Sequence, residues 1–527
     1  MTTDLDPPPD TAAAPATTGL SRWVAAAIGL LAVGVALGVG DLVAAFTAPA
    51  SSPVLAVGNQ FIRLTPEPLK EFATSTFGVH DKQVLLASMA VVIAVVAALG
   101  GLLSRKSPAP GMTLVVVLGL VGATCAAASP TFTPAYLVAP LVALVAGAAT
   151  FAVLHHLGRR AAAPNEIDEA GAAPRDARRR LVLGLVAALA GAGVTGFLGR
   201  TFATAHAAEA SRDAVGPLPG GSAPAPPAAD FAASGTPPWI TPNADFYRID
   251  TALQVPQIST AEYSLRIHGL VDREIVLSYD QLRRRALTQA PITMCCVSND
   301  VGGNLISNAV FVGVPLRDLL AEAGVRAGAD QIASTSSDGF TTGTPVAACT
   351  DGRNAMLALG MNGQPLPIEH GFPVRMVVPG LYGYVSGCKW ITDMELTTFD
   401  AFQPYWQQRG WAQQAPVKTQ SRIDVPRADA TVAAGRVTVA GTAWAQHRGV
   451  GRVEVRVDRG PWQTAELAAD VSIDTWRMWR TVLTLAPGQH TLQVRATDAT
   501  GATQPEPMTL TIPDGATGWH TVTVTAR

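Results

Sequence analysis

Along the first 200 residues the polar positions come in short clusters, separated by long apolar runs. Five runs stand out, from about Trp23 to Ala45, Val84 to Leu103, Met112 to Ser129, Tyr136 to Leu157 and Leu181 to Leu198. Each approaches the length of about 20 residues that a helix needs to cross a bilayer. Val and Ile within them could suggest buried strands, but runs this long make poor strands. Over 201–235 the pattern gives way to Pro, Ala, Gly and Ser (VGPLPGGSAPAPPAADFAASG), with too little apolar bulk to fold alone, and a linker is expected. Over 236–416 short alternating strands mix with helices, for example a helix over Leu316–Ala323 after the VFVGV strand. Over 417–527 segments such as RVTVAGTAW, RVEVRVDRG and HTLQVRATD alternate strictly, with turns such as Asp458-Arg459-Gly460 between them. Regularly spaced short strands predict an all-β sandwich of the Ig-like kind. The expected architecture is multidomain: an α-helical membrane bundle over 1–200, a linker, an α+β domain and the sandwich.

Composition agrees with the spans, at 48% hydrophobic residues and a mean hydropathy of +0.25. A net charge of −2 leaves nothing to mark a nucleic-acid partner. The placement of the basic residues carries more. Arg105 and Lys106 follow the second run, and Arg159, Arg160, Arg175, Arg178, Arg179 and Arg180 lie between the fourth and fifth, whereas SPTFTP between the third and fourth has none. The positive-inside rule then puts the N-terminus in the cytoplasm and everything after the fifth span outside, as an odd number of crossings also requires. The stretch DARRRLVLGLVAALAGAG is read two ways. Its arginines are topology anchors, or they form a twin-arginine signal, which an export machinery reads to move folded domains across the membrane. AHAA at Ala205–Ala208 resembles a signal-peptidase site, and cleavage there would release the outer domain.

Five cysteines are too few for a disulfide scaffold, and C-x-x-C and C-x-x-C-H spacings are absent, so the chain carries no haem or iron–sulfur motif. The histidines near a span, His155 and His156, are adjacent and point about 100° apart on a helix, unlike a haem ligand pair. Cys125, within a span, reads as packing. The pair Cys295-Cys296 in PITMCCVSND is different, because neighbouring cysteines are too close to bond without strain. One sulfur is either an inert small hydrophobe, a ligand or a nucleophile; a thiol redox pair is disfavoured, since such enzymes space their cysteines C-x-x-C. A second dense region is IEHGFPVRMVVPGLYGYVSGCKW, where glycines 371, 380, 383 and 387 interrupt a strand-like pattern. With His370, Arg375 and Lys389 it suits a phosphorylated anion held partly by backbone N–H groups, or else a β-rich core with surface charges.

Taken together, MCCVSND, then HGFPVR and a Gly-rich loop ending in CKW, resemble the sulfite oxidase family of molybdopterin-dependent oxidoreductases. The resemblance runs from about Trp239 to the C-terminus, and the layout is similar to membrane-tethered actinobacterial-type members with five spans. It implies a molybdenum–molybdopterin cofactor and oxygen-atom transfer. Within Thr293-Met294-Cys295-Cys296 it places Cys296 at the molybdenum ligand and leaves Cys295 a packed bystander. It assigns His370 and Arg375 to the pterin phosphate, and Ser386 and Lys389 to later pterin contacts. From PNADFYRIDTALQVP it carries over Asn243, Tyr247 and Arg248; Asp338 in SSDGF and Thr344 are further candidates. Tyr384 is either a donor near the metal or part of the pterin wall. Trp444, Trp462, Trp476 and Trp479 read as core or interface residues of a sandwich that, in the family, dimerises. Sulfite-oxidising members carry consecutive arginines where this chain has Asn299-Asp300, and relatives that reduce methionine sulfoxide lack them too. The departure favours reduction of a small-molecule or protein sulfoxide, or another oxidised substrate, over sulfite oxidation. Electrons then come from a separate membrane redox protein or a quinone. The reading from another class is a non-catalytic tethered binding or sensing protein, which would have no use for the Cys296 thiol.

Overall fold

The computed structural model describes residues 19–77, 80–163, 173–203, 207–218, 226 and 228–527. The chain divides into two compact units, 1–205 and 206–527. In the first, five helices are long and apolar enough to cross a membrane: Arg22–Thr47, Asp81–Leu103, Ala109–Ala127, Pro134–Ala162 and Arg175–Phe202. Each of the five runs expected from the sequence falls on one of them. Two shorter helices, Pro53–Leu64 and Glu67–Phe77, lie between the first and second. Small residues let the spans touch backbone to backbone, for a Cβ on Gly29 would collide with the Ala97 carbonyl and one on Gly101 with that of Ala25. The His155 ring stacks on Phe151 at 5.8 Å, and its Nε2 donates to the Ser104 carbonyl at 2.8 Å. That imidazole is a buried, satisfied packing group.

The second unit begins with a helix, Ala207–Val215, inside the stretch expected as a linker. Ala208, Val215 and Leu218 sink into the core of the α+β domain. Of the AHAA segment, residues 205 and 206 lie outside the described residues, as do 204 before it and 219–225 and 227 of the Pro-rich run. The domain that follows holds two sheets. One orders Ile275–Ser278, Ser264–Gly269, Ile391–Thr397, Gln331–Ser336 and Thr341–Pro345. The other orders Thr288–Cys295, Ile306–Pro315, Met356–Met361 and Gln364–Pro365, with Arg375–Val377 also paired to Met356–Met361. Leu265, Ile267, Phe311, Leu357, Leu359 and Met394 fill the core at full burial. The helix Leu316–Ala323 stands where the sequence predicts it. Its Leu316, Leu319, Leu320 and Ala323 make one apolar stripe, and Gly324 ends it at φ +68°.

The C-terminal part is the expected all-β structure, with one sheet ordering Gln420–Val425, Gly435–Trp444, Arg477–Leu485 and Glu466–Leu467. The other orders Thr431–Val432, His520–Ala526, Gly488–Asp498, Val450–Val457 and Gln463–Thr464. Trp479 fills its interior, while Trp462 packs edge-on against Trp519 at 5.0 Å. Trp444 and Trp476 instead join Trp239, Cys295, Tyr382, Tyr384 and Trp411 in a core shared with the α+β domain.

Candidate functional site

The strand Thr288–Cys295 is the edge of its sheet, and Cys296 is the first residue beyond it. Its N–H still donates to the Leu305 carbonyl at 2.9 Å, and its carbonyl accepts from Asn299 N–H at 3.1 Å, which turns the chain sharply. Cys295 is buried at 2% exposure, its thiol turned to the carbonyl of Cys296 at 3.4 Å. Cys296 is only half-buried. Burial raises its thiol pKa, while N–H groups of Ser298 and Val297 and the Ser298 side chain work in the opposite direction. Those donors are aimed where a thiolate would carry its charge.

Asn299, at a position where an anion-binding arginine would matter, is a scaffold residue. Its Oδ1 accepts from Leu305 N–H at 2.7 Å, and its buried Nδ2 has no hydrogen-bond partner. Asp300 beside it is exposed. The guanidinium that reaches this loop comes from the sandwich. Arg422 donates to the Gly303 carbonyl at 2.6 Å and pairs with Asp424 at 2.7 Å.

Across from the thiols stands the second motif. The turn Ile368–His370 ends at Gly371, whose φ of +111° a side chain rarely adopts. His370 Nε2 faces the Asn243 carbonyl at 3.2 Å and so carries the ring proton. Burial, then the charges of Arg375 and Lys389, pushes the His370 pKa down to about 3, so the ring is neutral. Arg375 is 5% exposed. It donates to the His370 carbonyl at 3.2 Å and lies 5.9 Å from the Phe311 ring centre. Its Nε has no hydrogen-bond partner, and no carboxylate pairs with it among the described residues. Burial holds its pKa down to about 10. Lys389, pushed down to about 8 by burial, keeps a partner in Asp250 at 3.1 Å.

Tyr247 links the two motifs. Burial pushes its phenol pKa well up, and the next influences are the Cys296 and Cys295 sulfurs, with Arg375 pulling the other way. The hydroxyl thus lies within electrostatic range of both thiols and the guanidinium. A Cβ on Gly383 would sit 3.4 Å from that oxygen, which leaves the space beside it open. A cavity of about 400 Å³ opens beside His370, lined also by Arg248, Phe246, Ala244, Glu369 and Glu209 among others. That size suits an organic ligand.

Of the residues singled out in the sequence, Asn243, Arg248, His370, Arg375 and Lys389 therefore gather together, and Tyr247 connects this group to Cys296. The Asn243 side chain is occupied in binding Asn362 at 2.8 Å, so its backbone carbonyl is what meets His370. The Ser386 hydroxyl donates to the Leu381 carbonyl at 3.0 Å, and that of Thr344 to the Val385 carbonyl. Asp338 accepts from Phe340 N–H at 3.1 Å within its own turn. The Tyr384 hydroxyl is committed to the Ala412 carbonyl at 2.6 Å. Sequence reasoning missed Asp250, whose carboxylate pairs with Arg248 at 2.8 Å as well as with Lys389. The Arg-x-Asp spacing at 248 and 250 was its one visible signal.

Among the described residues no three His, Cys, Asp or Glu side chains gather as a metal cage. A metal at Cys296 would need its remaining donors from a ligand. The uncompensated Arg375, with Arg248 and Lys389 nearby, calls for that ligand to be anionic.

Comparison with known proteins supplies the context. A family model described as the oxidoreductase molybdopterin binding domain matches residues 252–406, and the Mo-co oxidoreductase dimerisation domain matches 411–527. The mitochondrial sulfite oxidase of Mus musculus is 31% identical over 318 residues, 51% of this chain and 58% of the relative. The uncharacterized oxidoreductase YuiH of Bacillus subtilis (strain 168) is 30% identical over 150 residues, 28% of this chain and 72% of the relative. Among solved structures, the sulfane dehydrogenase SoxCD from Paracoccus pantotrophus covers 53% of this chain and 79% of its own at 25% identity, with a TM-score of 0.46. The chain spans little more than half the length of the mouse and human sulfite oxidases, 58% and 55%.

Proposed function

Because this chain belongs to the sulfite oxidase family of molybdenum oxidoreductases, we propose that it is a membrane-anchored enzyme working outside the cytoplasm. Its reaction is oxygen-atom transfer, in the direction that reduces a sulfoxide-type or other oxidised neutral substrate. Cys296 supplies the protein's thiolate to molybdenum, and His370, Arg375, Arg248 and Lys389 hold the anionic pterin. The observation that carries the reading is Arg375, a buried guanidinium with no carboxylate partner among the described residues, within electrostatic range of the same Tyr247 hydroxyl that senses the Cys296 sulfur. The residues present fit the cofactor, in donor chemistry and in charge.

When bound, the cofactor supplies the two-electron exchange and the site of oxygen transfer. The chain's own residues bind and orient. The N–H groups of Val297 and Ser298 favour the charged form of the Cys296 sulfur. A soft thiolate is the donor molybdenum needs. Tyr247 offers a hydroxyl, held in its protonated form by burial, within electrostatic range of both thiols. Gly383 leaves room for a group to approach that hydroxyl.

A neutral substrate is supported by the charges around the loop: Asn299 is turned inward, Asp300 is exposed, and Arg422 is already neutralised by Asp424. Sulfite oxidation is the second reading, favoured by the mouse relative's name and by the presence of Arg422 at the loop. The loop charges support a cytoplasmic N-terminus and an outward catalytic domain. The arginines before the fifth span support export by the twin-arginine route. The match over 411–527 supports a homodimer, and a membrane redox protein or quinone supplies the electrons.

The test is metal and pterin analysis of protein from a cofactor-competent host. About one molybdenum per chain is expected. X-ray absorption should lose the thiolate sulfur in Cys296→Ser and keep it in Cys295→Ser. Folded wild-type protein without molybdenum would refute the reading. A screen of sulfoxides, N-oxides and sulfite then decides the substrate.

A further inference from the structure

The helix Ala207–Val215 comes straight after the fifth span in sequence, yet it is built into the catalytic domain. Arg212 Nε donates to the Leu366 carbonyl at 2.9 Å and Nη2 to the Pro365 carbonyl at 3.0 Å. The Ser211 hydroxyl meets that of Thr260 at 2.9 Å and accepts from Thr260 N–H at 2.9 Å. Arg283 donates to the Val215 carbonyl at 2.8 Å, covering the helix's C-terminal end. Below it Leu218 fills the space that a side chain on Gly360 would need.

The backbone gripped by Arg212 runs directly into Ile368–His370, the turn that lines the cavity. One turn earlier on the helix, Glu209 lines the same cavity, with Arg248, Glu369 and His370. The helix therefore forms one wall of the site and at the same time braces another. A charged donor bonded to two carbonyls holds a loop far more firmly than apolar contact alone.

From this arrangement we infer that the juxtamembrane helix is a retention clamp for the cofactor, with Arg212 as its positioning residue. The inference rests on the functional reading above. It gives the segment between membrane and enzyme a role besides tethering: loss of its docking loosens the turn that holds the cofactor's anionic end. Cleavage within Ala205–Ala208 would sever the anchor at the start of this helix and leave Ser211 and Arg212 on the domain's side of the cut.

The experiment uses the loaded, detergent-solubilised full chain. Release of molybdenum and pterin is followed over time by gel filtration, metal analysis and pterin fluorescence, with hydrogen exchange read over residues 364–372. Arg212→Ala should release the cofactor about tenfold faster or more, the factor that accompanies loss of one hydrogen bond from a charged donor. Exchange over the turn should rise with it. Arg212→Lys, which can still donate to a carbonyl, should recover part of the retention; a merely structural loss would not be rescued in the release rate. Thr260→Val, which removes the hydroxyl bond to Ser211 from the opposite side and keeps the backbone N–H bond, should act in the same direction with a smaller effect and serves if Arg212→Ala folds poorly. Wild type without molybdenum would sink the functional reading itself. Loaded wild type with release unchanged in both Arg212→Ala and Thr260→Val would sink only the clamp.

Discussion

Removing the Arg375 charge should strengthen the empty protein and weaken the loaded one. In Arg375→Met the long apolar stem stays against Phe311 while the guanidinium goes. Burial holds its pKa down to about 10, more than two units below the ordinary guanidinium range. At about 1.4 kcal/mol per pKa unit, carrying that charge costs the folded, empty protein about 3 kcal/mol. The substitution also strands the His370 carbonyl, which loses its bond from Arg375, at a cost of about 1–2 kcal/mol. The net expectation is a gain of about 1–2 kcal/mol, or roughly 1–4 °C in melting temperature for a unit of this size. A base whose folded pKa is lowered penalises the fold at every pH below it, and relief comes only above about pH 10. The assay is thermal unfolding of cofactor-free protein from a host that makes no molybdopterin, followed by tryptophan fluorescence. In a cofactor-competent host the same variant should bind little molybdenum. If Arg375→Met melts several degrees below the empty wild type, the guanidinium is a structural group and the case for a missing anion collapses.

Two further outcomes follow from the same geometry. In Asp250→Asn, Lys389 loses the carboxylate that opposes its burial, so its pKa should fall below about 8. Between that value and 10.5 the unfolded chain binds the extra proton, so stability rises with pH there; urea midpoints of empty variant and wild type at pH 6.5 and 9 should show that rise starting earlier in the variant, and parallel profiles would refute it. Changing Arg178 and Arg179 together to Lys should strand the catalytic domain inside the cell while the first four spans insert, as protease protection of spheroplasts would report; normal export would leave the arginines as topology anchors alone.

How much of this was legible in the sequence depends on the range of the interaction. Span length, the stripe of Leu316–Ala323 and the alternation of the sandwich strands are local patterns, and each appears where its periodicity puts it. The cysteine and HGFPVR windows were visible because each packs several chemistry-bearing residues into one stretch. The helix Ala207–Val215 was not, since it presents few apolar positions and is defined by the surface it docks on. Pro53–Leu64 and Glu67–Phe77 fall short of span length and pass for loop. Asp250 lies 139 residues from Lys389, and Arg422 lies 119 from Gly303, so only the fold brings these partners together. The hydroxyls of Thr344 and Ser386 look available in one dimension, yet both are bonded to nearby carbonyls in three.

The shared core of tryptophans has a consequence for how this enzyme can be divided. Thr293, on the thiol strand, donates to Asn308 at 2.9 Å, and its hydroxyl accepts from Trp476 N–H of the sandwich at 2.8 Å. The Trp476 indole reaches back to the Trp239 carbonyl at 2.9 Å. An otherwise bare edge strand is thereby covered. The sandwich is thus the jig in which the sulfur-bearing strand is set, whatever else it pairs with. A fragment trimmed before residue 417 would bare an aromatic face and lose the alignment of the strand that leads into Cys296, so the two folds must be made, and lost, together.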